Sequence, residues 1–341
     1  MTVRQYLDSF ISFCPYIELF ISVPCIIINI YCAIRLANLN TFNNNFRIIM
    51  VISNFFGAGV SLFHPLVTMI PPEYVSYQNG YYFRGTSFYV IAFIHHWCVV
   101  IFDIKFFILG FERWFAFKSR ATYEYSHDST SIKIYLCIIF TAFCGLTAKI
   151  ISYVKFHHND TVDMTLQKAF VVDNDLPTLL AAHVMALSGW TYAMTIFRQV
   201  ERQAEENRFR AQTLSESYQI KETINIISVI GPIIRAYITL VLLCGTFLSV
   251  NLYCIYYGYW SMSSIYYQSL TNFEYIMINT YNFYSSSYMI WYLRPLRKVF
   301  LNDLRSCFNC SIDIDNQVDT TVKRFDDEAK IYFDQLQNQW L

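Results

Sequence analysis

The chain has 341 residues, 55% hydrophobic, 18% aromatic and only 15% charged, where soluble domains carry about a quarter charged residues. Twenty-five Lys and Arg balance 25 Asp and Glu, which excludes the basic footprint of a nucleic-acid-binding protein. With several apolar runs longer than about 18 residues, this composition predicts an all-α polytopic membrane protein.

Met1–Cys14 holds one arginine, Arg4, and no small-residue cleavage site. The first apolar run, about Tyr16–Leu36, therefore reads as a retained signal anchor. Six more runs follow: about Ile48–Ile70, Ser87–Phe111, Ile132–Val154, Pro177–Phe197, Ile227–Tyr253 and Phe273–Leu293. Each is long enough for a helix to cross a hydrocarbon core of roughly 30 Å at about 1.5 Å per residue. They are too long and continuous for barrel strands. The expectation is a seven-transmembrane-helix bundle over residues 1–300 and a cytoplasmic tail over 301–341. Val322–Leu336 has the pattern of a short amphipathic helix.

Charge placement gives the orientation. Of the 25 Lys and Arg, 18 fall in the connections on one side and in the tail, four on the other side, and three (Lys105, Lys149, Arg235) inside the runs. The basic side is cytoplasmic by this rule, which puts the N-terminus outside and the C-terminus inside. Asn159-Asp160-Thr161 is a glycosylation acceptor on the side this assigns as external. Arg198–Lys221 alternates Glu and Arg and reads as a solvated extension of the fifth helix, with pairs such as Glu206/Arg210 at i,i+4.

Several residues carry possible chemistry. His64-Pro65 predicts a kink in the second helix. Asp103 and Lys105 lie two residues apart, about 200° around a helix, and cannot pair with each other. A lysine at that depth needs a carboxylate or a wet cavity; the pair reads as a ligand counter-ion, a transport path or an interhelical lock. His64, His95, His96 and His183 have no i,i+4 pair. They read as helix-contact residues or ligand contacts rather than a metal site. With Asp103 and Trp190 they make the candidate ligand set. Tyr and Trp crowd the outer ends, as interfacial belts do, or line an apolar pocket.

Ten cysteines form no paired framework in a loop; Cys307 and Cys310, after the seventh helix, are palmitoylation candidates or free thiols. No G-x-S-x-G, H-E-x-x-H, P-loop or dinucleotide loop is present, so neither an enzyme nor a cofactor nor a metal is expected.

The richest stretch is Glu112-Arg113-Trp114-Phe115-Ala116, followed by Tyr123-Glu124, where the third run meets a basic connection. This block resembles the E-R-x-x-A-T…D-Y-E block of nematode serpentine chemoreceptors of class epsilon. Leu214–Ile224, with Tyr218, Gln219 and Glu222, resembles that family's L-S-x-R-Y-Q-x-x-E-N-I, with Ser217 and Thr223 replacing Arg and Asn. Phe42–Phe46 resembles its F-H-x-N-L, and Arg294-Pro295 its closing His-Pro. The resemblance implies a G-protein-coupled chemoreceptor at the plasma membrane of sensory-neuron cilia. Its partners are then a small-molecule ligand, a heterotrimeric G protein and membrane lipid. The resemblance assigns the switch to Glu112, Arg113, Ala116, Tyr123, Glu124, Tyr218, Gln219 and Glu222. The Lys155–Leu176 connection has no cysteine, so no disulfide can tie it to the third helix. Two other readings stay open: a transporter or channel using the intramembrane charges, and a non-signalling membrane scaffold.

Overall fold

A computed structural model describes residues 3–39, 44–70, 74–77, 79–119, 130–156, 160–207, 214–262 and 264–308. Among them are nine α-helices. Seven are long: α1 (Val3–Ala37), α2 (Asn44–Thr68), α3 (Tyr82–Lys118), α4 (Thr130–Phe156), α6 (Leu176–Asn207), α7 (Leu214–Tyr256) and α8 (Ile265–Tyr292). Between α4 and α6 lie the short α5 (Val162–Phe170) and a 3-10 turn, Val172–Asn174. The amphipathic α9 (Arg294–Phe308) follows α8. The chain divides into two compact units, Met1–Leu296 and Arg297–Leu341; the first holds the long helices.

Within the first unit, α1 packs on α2 and α8, α2 on α3, α6 on α7, and α7 on α8. α3 touches α2, α4, α6 and α7. It is accordingly buried on several faces, from Phe88 through His95, His96 and Phe102 to Arg113. α4 contributes least to the interior and leaves Phe140, Phe143, Ile151 and Val154 exposed.

Six helices are long and apolar enough to cross a membrane: Ser12–Ala37, Asn44–Thr68, Tyr82–Lys118, Ile132–Phe156, Leu176–Asn207 and Gln219–Tyr256. The expected seventh crossing, α8, has 28 residues, which reach about 42 Å at helical rise, but it is too polar to stand among the six. Its polarity points inward. Asn272, Asn279, Asn282 and Ser286 are buried, whereas Phe273, Phe283 and Trp291 are exposed. Polar side chains in lipid must find partners inside the bundle, so this asymmetry suits a crossing helix.

α2 runs through Pro65 and ends at Thr68, so the proline of the expected kink sits in the last turn. α6 extends to Asn207 as expected, and on it Arg202 pairs with Glu206 at i,i+4, 3.0 Å apart. Arg210 lies outside the described residues, as do Tyr123, Glu124, Asn159, Cys310 and the tail segment Val322–Leu336. The side chains of Tyr218 and Cys307 are likewise not described.

Glycines set the closest helix contacts. A Cβ on Gly110 of α3 would stand 3.1 Å from Ala193 Cα of α6, against backbone that cannot swing aside. Gly110→Leu should therefore force α3 and α6 apart at a cost of about 1–3 kcal/mol. It should lower the melting temperature of the purified protein. Gly231→Leu, where an added Cβ meets nothing within 4 Å, should leave that temperature unchanged.

Candidate functional site

The end of the bundle that the charge rule makes the outer one is organised by the connection between α4 and α6. Thr161 caps α5 by accepting from the Met164 amide at 3.3 Å. Asp163, in the first turn, accepts from the Tyr77 amide at 2.8 Å and from the Ser76 hydroxyl. The 3-10 turn then carries Asp173 inward. Its Oδ2 lies 3.2 Å from His64 Nε2, its Oδ1 accepts from Tyr275 OH at 3.3 Å, and its carbonyl accepts from Tyr267 OH at 2.7 Å. On the other side, His64 Nδ1 meets Glu18 Oε1 at 2.6 Å. The His64 ring stacks on Tyr275 at 3.3 Å between centroids, and His95 packs 5.3 Å from it. One imidazole thus joins α1, α2, α8 and the connection. Both ring nitrogens of His64 are engaged by carboxyl groups, one from α1 and one from the connection.

His96 faces another way. It borders a cavity of about 460 Å³ between α3, α4 and α6. Three helical stripes line it: His96, Val99 and Val100 on α3; Ala142, Gly145, Leu146, Lys149 and Tyr153 on α4; Thr178, Ala181, Ala182 and Met185 on α6. At its outer end Lys149 Nζ pairs with Asp175 Oδ2 at 2.8 Å. Asp175 also accepts from Tyr153 OH at 2.8 Å and from the Thr178 hydroxyl.

Deeper in the bundle, Lys105 is accommodated mainly by aromatic rings. Its ammonium sits 3.6 Å above the Phe102 ring and 4.9 Å from that of Tyr281, with Phe106 and Tyr237 also near. Cation–π attraction replaces a dedicated carboxylate. Asp103 accepts from Tyr237 OH at 3.4 Å, so one tyrosine borders both groups. Beside the lysine, a cavity of about 30 Å³ is lined by residues that include Asn29, Asn54 and Asn282. That is roughly the volume of one water. The Ser286 hydroxyl lies 2.9 and 3.0 Å from the amide oxygens of Asn29 and Asn54 and ties α8 to α1 and α2.

At the opposite end, the inner one by the charge rule, Arg113 donates from Nε and Nη2 to both carboxylate oxygens of Glu112. Both residues are fully buried, and the guanidinium lies 5.0 Å over the Phe46 ring of α2. Ala116, Gln219, Glu222 and Thr223 are buried at the same end. Leu36, Phe46, Met50, Ile226, Met289 and Leu293 close around a gap of only about 10 Å³. Among the described residues this end is closely packed.

The six candidate ligand residues do not form one site. His64 and His95 share the outer cluster, His96 borders the groove, and Asp103 lies deeper beside Tyr237. His183 packs against Gly245 of α7; Trp190 is half-buried on α6 and its Nε1 has no protein partner. Lys149 pairs with Asp175, and Arg235 sits at an exposed position, so neither serves Asp103 or Lys105 as a partner. Sequence reasoning missed Glu18, Asp173, Asp175 and Tyr275. The available signal was a carboxylate inside the first apolar run and two more in an outer connection lacking cysteine.

A family model described as serpentine type 7TM GPCR receptor class ab chemoreceptor matches residues 88–341. No curated protein matches the chain. The chain belongs to this serpentine chemoreceptor family, a family of seven-transmembrane G-protein-coupled receptors and not of enzymes. The matching class is ab, whereas the sequence blocks resemble class epsilon; the match supports the serpentine receptor family, not that class.

Asp175, outside the membrane spans, gives the outer cluster a pH dependence. Burial pushes its carboxyl up, but hydrogen bonds from Lys149, Thr178 and Tyr153 and the Lys149 charge outweigh burial and hold it below its ordinary value. A depressed carboxylate adds stability fully present above its unfolded value of about 3.9 and lost as pH falls through the folded value. Thermal stability of the purified receptor should therefore fall on acidification below about pH 4. Asp175→Asn should be less stable at neutral pH and should flatten that acid limb.

Proposed function

We propose that this receptor sits in the plasma membrane of sensory cilia with its N-terminus outside. It binds a small molecule in the outer half of the bundle and signals to a heterotrimeric G protein through the inner end. The observation that carries this reading is the buried Glu112–Arg113 pair beneath a closed inner end. A buried arginine held by a carboxylate is stable as a pair and costly once its partner is removed, by about 3–5 kcal/mol. A ligand that binds an open packing more tightly shifts the population toward it, by about 1.4 kcal/mol for each tenfold difference in affinity.

Other features support parts of this reading. The excess of Lys and Arg on one side of the bundle favours a cytoplasmic inner end. Asn159 belongs to the outer connection, where a glycan would be added. Tyr123 and Glu124 follow Arg113 closely in sequence, and with Tyr218, Gln219 and Glu222 from the start of α7 they make the proposed coupling set. Cys307 and Cys310 follow α8 closely enough to carry palmitate beside the inner leaflet. The epsilon-type blocks favour a nematode chemoreceptor whose receptor domain ends near residue 300, with a cytoplasmic tail from 301. The cage around Lys105, with room for about one water, weighs against an ion path there.

Glu112→Gln removes the carboxylate charge and should raise ligand-independent G-protein recruitment several-fold. Arg113→Ala should abolish ligand-dependent recruitment at normal surface expression. Unchanged signalling by Arg113→Ala would overturn the switch. Asn159→Gln should remove one glycosidase-sensitive gel shift; a shift that persists unaltered argues against an external Asn159.

A further inference from the structure

We infer that the groove between α3, α4 and α6 is the ligand site, entered from the lipid side and built for a single-chain amphiphile with a carboxylic acid head. This deepens the receptor reading and rests on its orientation for placing the head at the outer membrane surface. The volume, about 460 Å³, falls in the range of roughly 300–1,000 Å³ typical of small-molecule sites. α4 packs on α3 and α5, and α6 on α3 and α7, which leaves a slot between α4 and α6. Gly145 and Ala181, on its two walls, are exposed, so the slot opens sideways to lipid.

Polar groups sit at one end only. His96 is 1% exposed, borders the groove, and its Nε2 has no protein partner. A buried polar nitrogen without a partner costs about 1–3 kcal/mol, which a ligand oxygen would recover. Lys149 has three N–H bonds and one carboxylate beside it. That carboxylate, Asp175, already receives Tyr153 and Thr178 hydroxyls, so Lys149 can share its charge with a second acid. A carboxylic acid matches both: its carbonyl oxygen accepts a charge-assisted bond from Lys149, and its hydroxyl donates to His96 Nε2, the ring nitrogen left as acceptor by the bond from the other to the Phe170 carbonyl. The remaining wall is apolar, along Val99, Val100, Leu146 and Met185, one to three turns deeper. Head at the outer surface and tail toward the midplane is the posture an amphiphile already holds in the outer leaflet.

The test uses the full chain in phosphatidylcholine nanodiscs and a dodecanoic acid bearing a terminal diazirine. Saturable photolabelling should map to α4 near Leu146 and to α6 near Met185. Unlabelled dodecanoic acid should compete and dodecane should not. Gly145→Leu fills the slot without a clash, because an added Cβ there meets nothing within 4 Å; it should weaken labelling at least tenfold. Lys149→Met should weaken it several-fold, and Gly231→Leu on α7 should leave it unchanged. Labelling that does not saturate, or that survives Gly145→Leu, overturns the site. Equal labelling by a diacyl phosphatidylcholine with the same diazirine chain also overturns it, since the groove would then hold ordinary bilayer lipid. Because no G protein takes part, a positive result stands even if recruitment fails. Recruitment insensitive to Gly145→Leu would reject the groove and leave the receptor reading intact.

Discussion

The outer half of this receptor depends on Asp173. A connection between two membrane helices has no reason to stay in place unless something holds it, and here no cysteine is available for a disulfide. Asp173 holds it by reaching His64 on α2 and Tyr275 and Tyr267 on α8, while His64 reaches on to Glu18 of α1. Hydrogen bonds to charged groups contribute about 1.5–3 kcal/mol each. A few of them together rival the roughly 2–4 kcal/mol of a disulfide. Unlike a disulfide, they can part and re-form. Asp163 and Asp175 anchor the same connection at its two ends, on Tyr77 and on Lys149. The roof of the bundle is therefore fastened by three carboxylates, and one of them, Asp175, also forms the head end of the groove.

α3 carries candidate residues of the proposed function at three levels. His95 and His96 stand at its outer part, Asp103 and Lys105 in the middle, and Glu112 and Arg113 at the inner end. Eighteen residues separate His95 from Arg113, about 27 Å at helical rise. α6 lies along the same helix at very short range, with Gly110 under Ala193 and Gly189 near the Asp103 carbonyl. Contacts this close do not deform gradually; helices that meet through glycine shift as units between packings. An occupant wedged between α4 and α6 would bear on the α3–α6 seam that reaches down to the switch.

How much of this was legible in the sequence follows from distance along the chain. Helices were readable because apolar length is a local property. Glu112–Arg113 was readable because its members are adjacent. The seventh helix was found from its aromatic and apolar run, although its inward asparagines make it too polar to count by composition. The outer cluster was not readable. Glu18, His64, Asp173 and Tyr275 are far apart in sequence, and each alone is an ordinary buried polar residue. Lys105 was legible only in part: a small cavity does lie beside it, but the aromatic faces of Phe102 one turn back and Tyr281 on α8 carry no signal of their own in the sequence.

Adjacency also says what the inner switch must be. Glu112 and Arg113 ride on one helix, so their bond moves with α3, while the guanidinium also lies over Phe46 of α2. Whether a partner can reach the arginine is decided by what covers it. At that end α7 contributes Gln219 and Thr223, both buried, and neither the Gln219 amide atoms nor the Thr223 hydroxyl has a protein partner. Each buried polar group left in that state costs about 1–3 kcal/mol. Moving the inner turn of α7 outward would return these groups to water. That gain would offset part of the cost of exposing the apolar packing around Phe46, Ile226 and Met289. Among the described residues this end is held by apolar packing and opposed by its own polar groups, and on the proposed function that is the balance a receptor needs if a modest ligand affinity difference is to tip it.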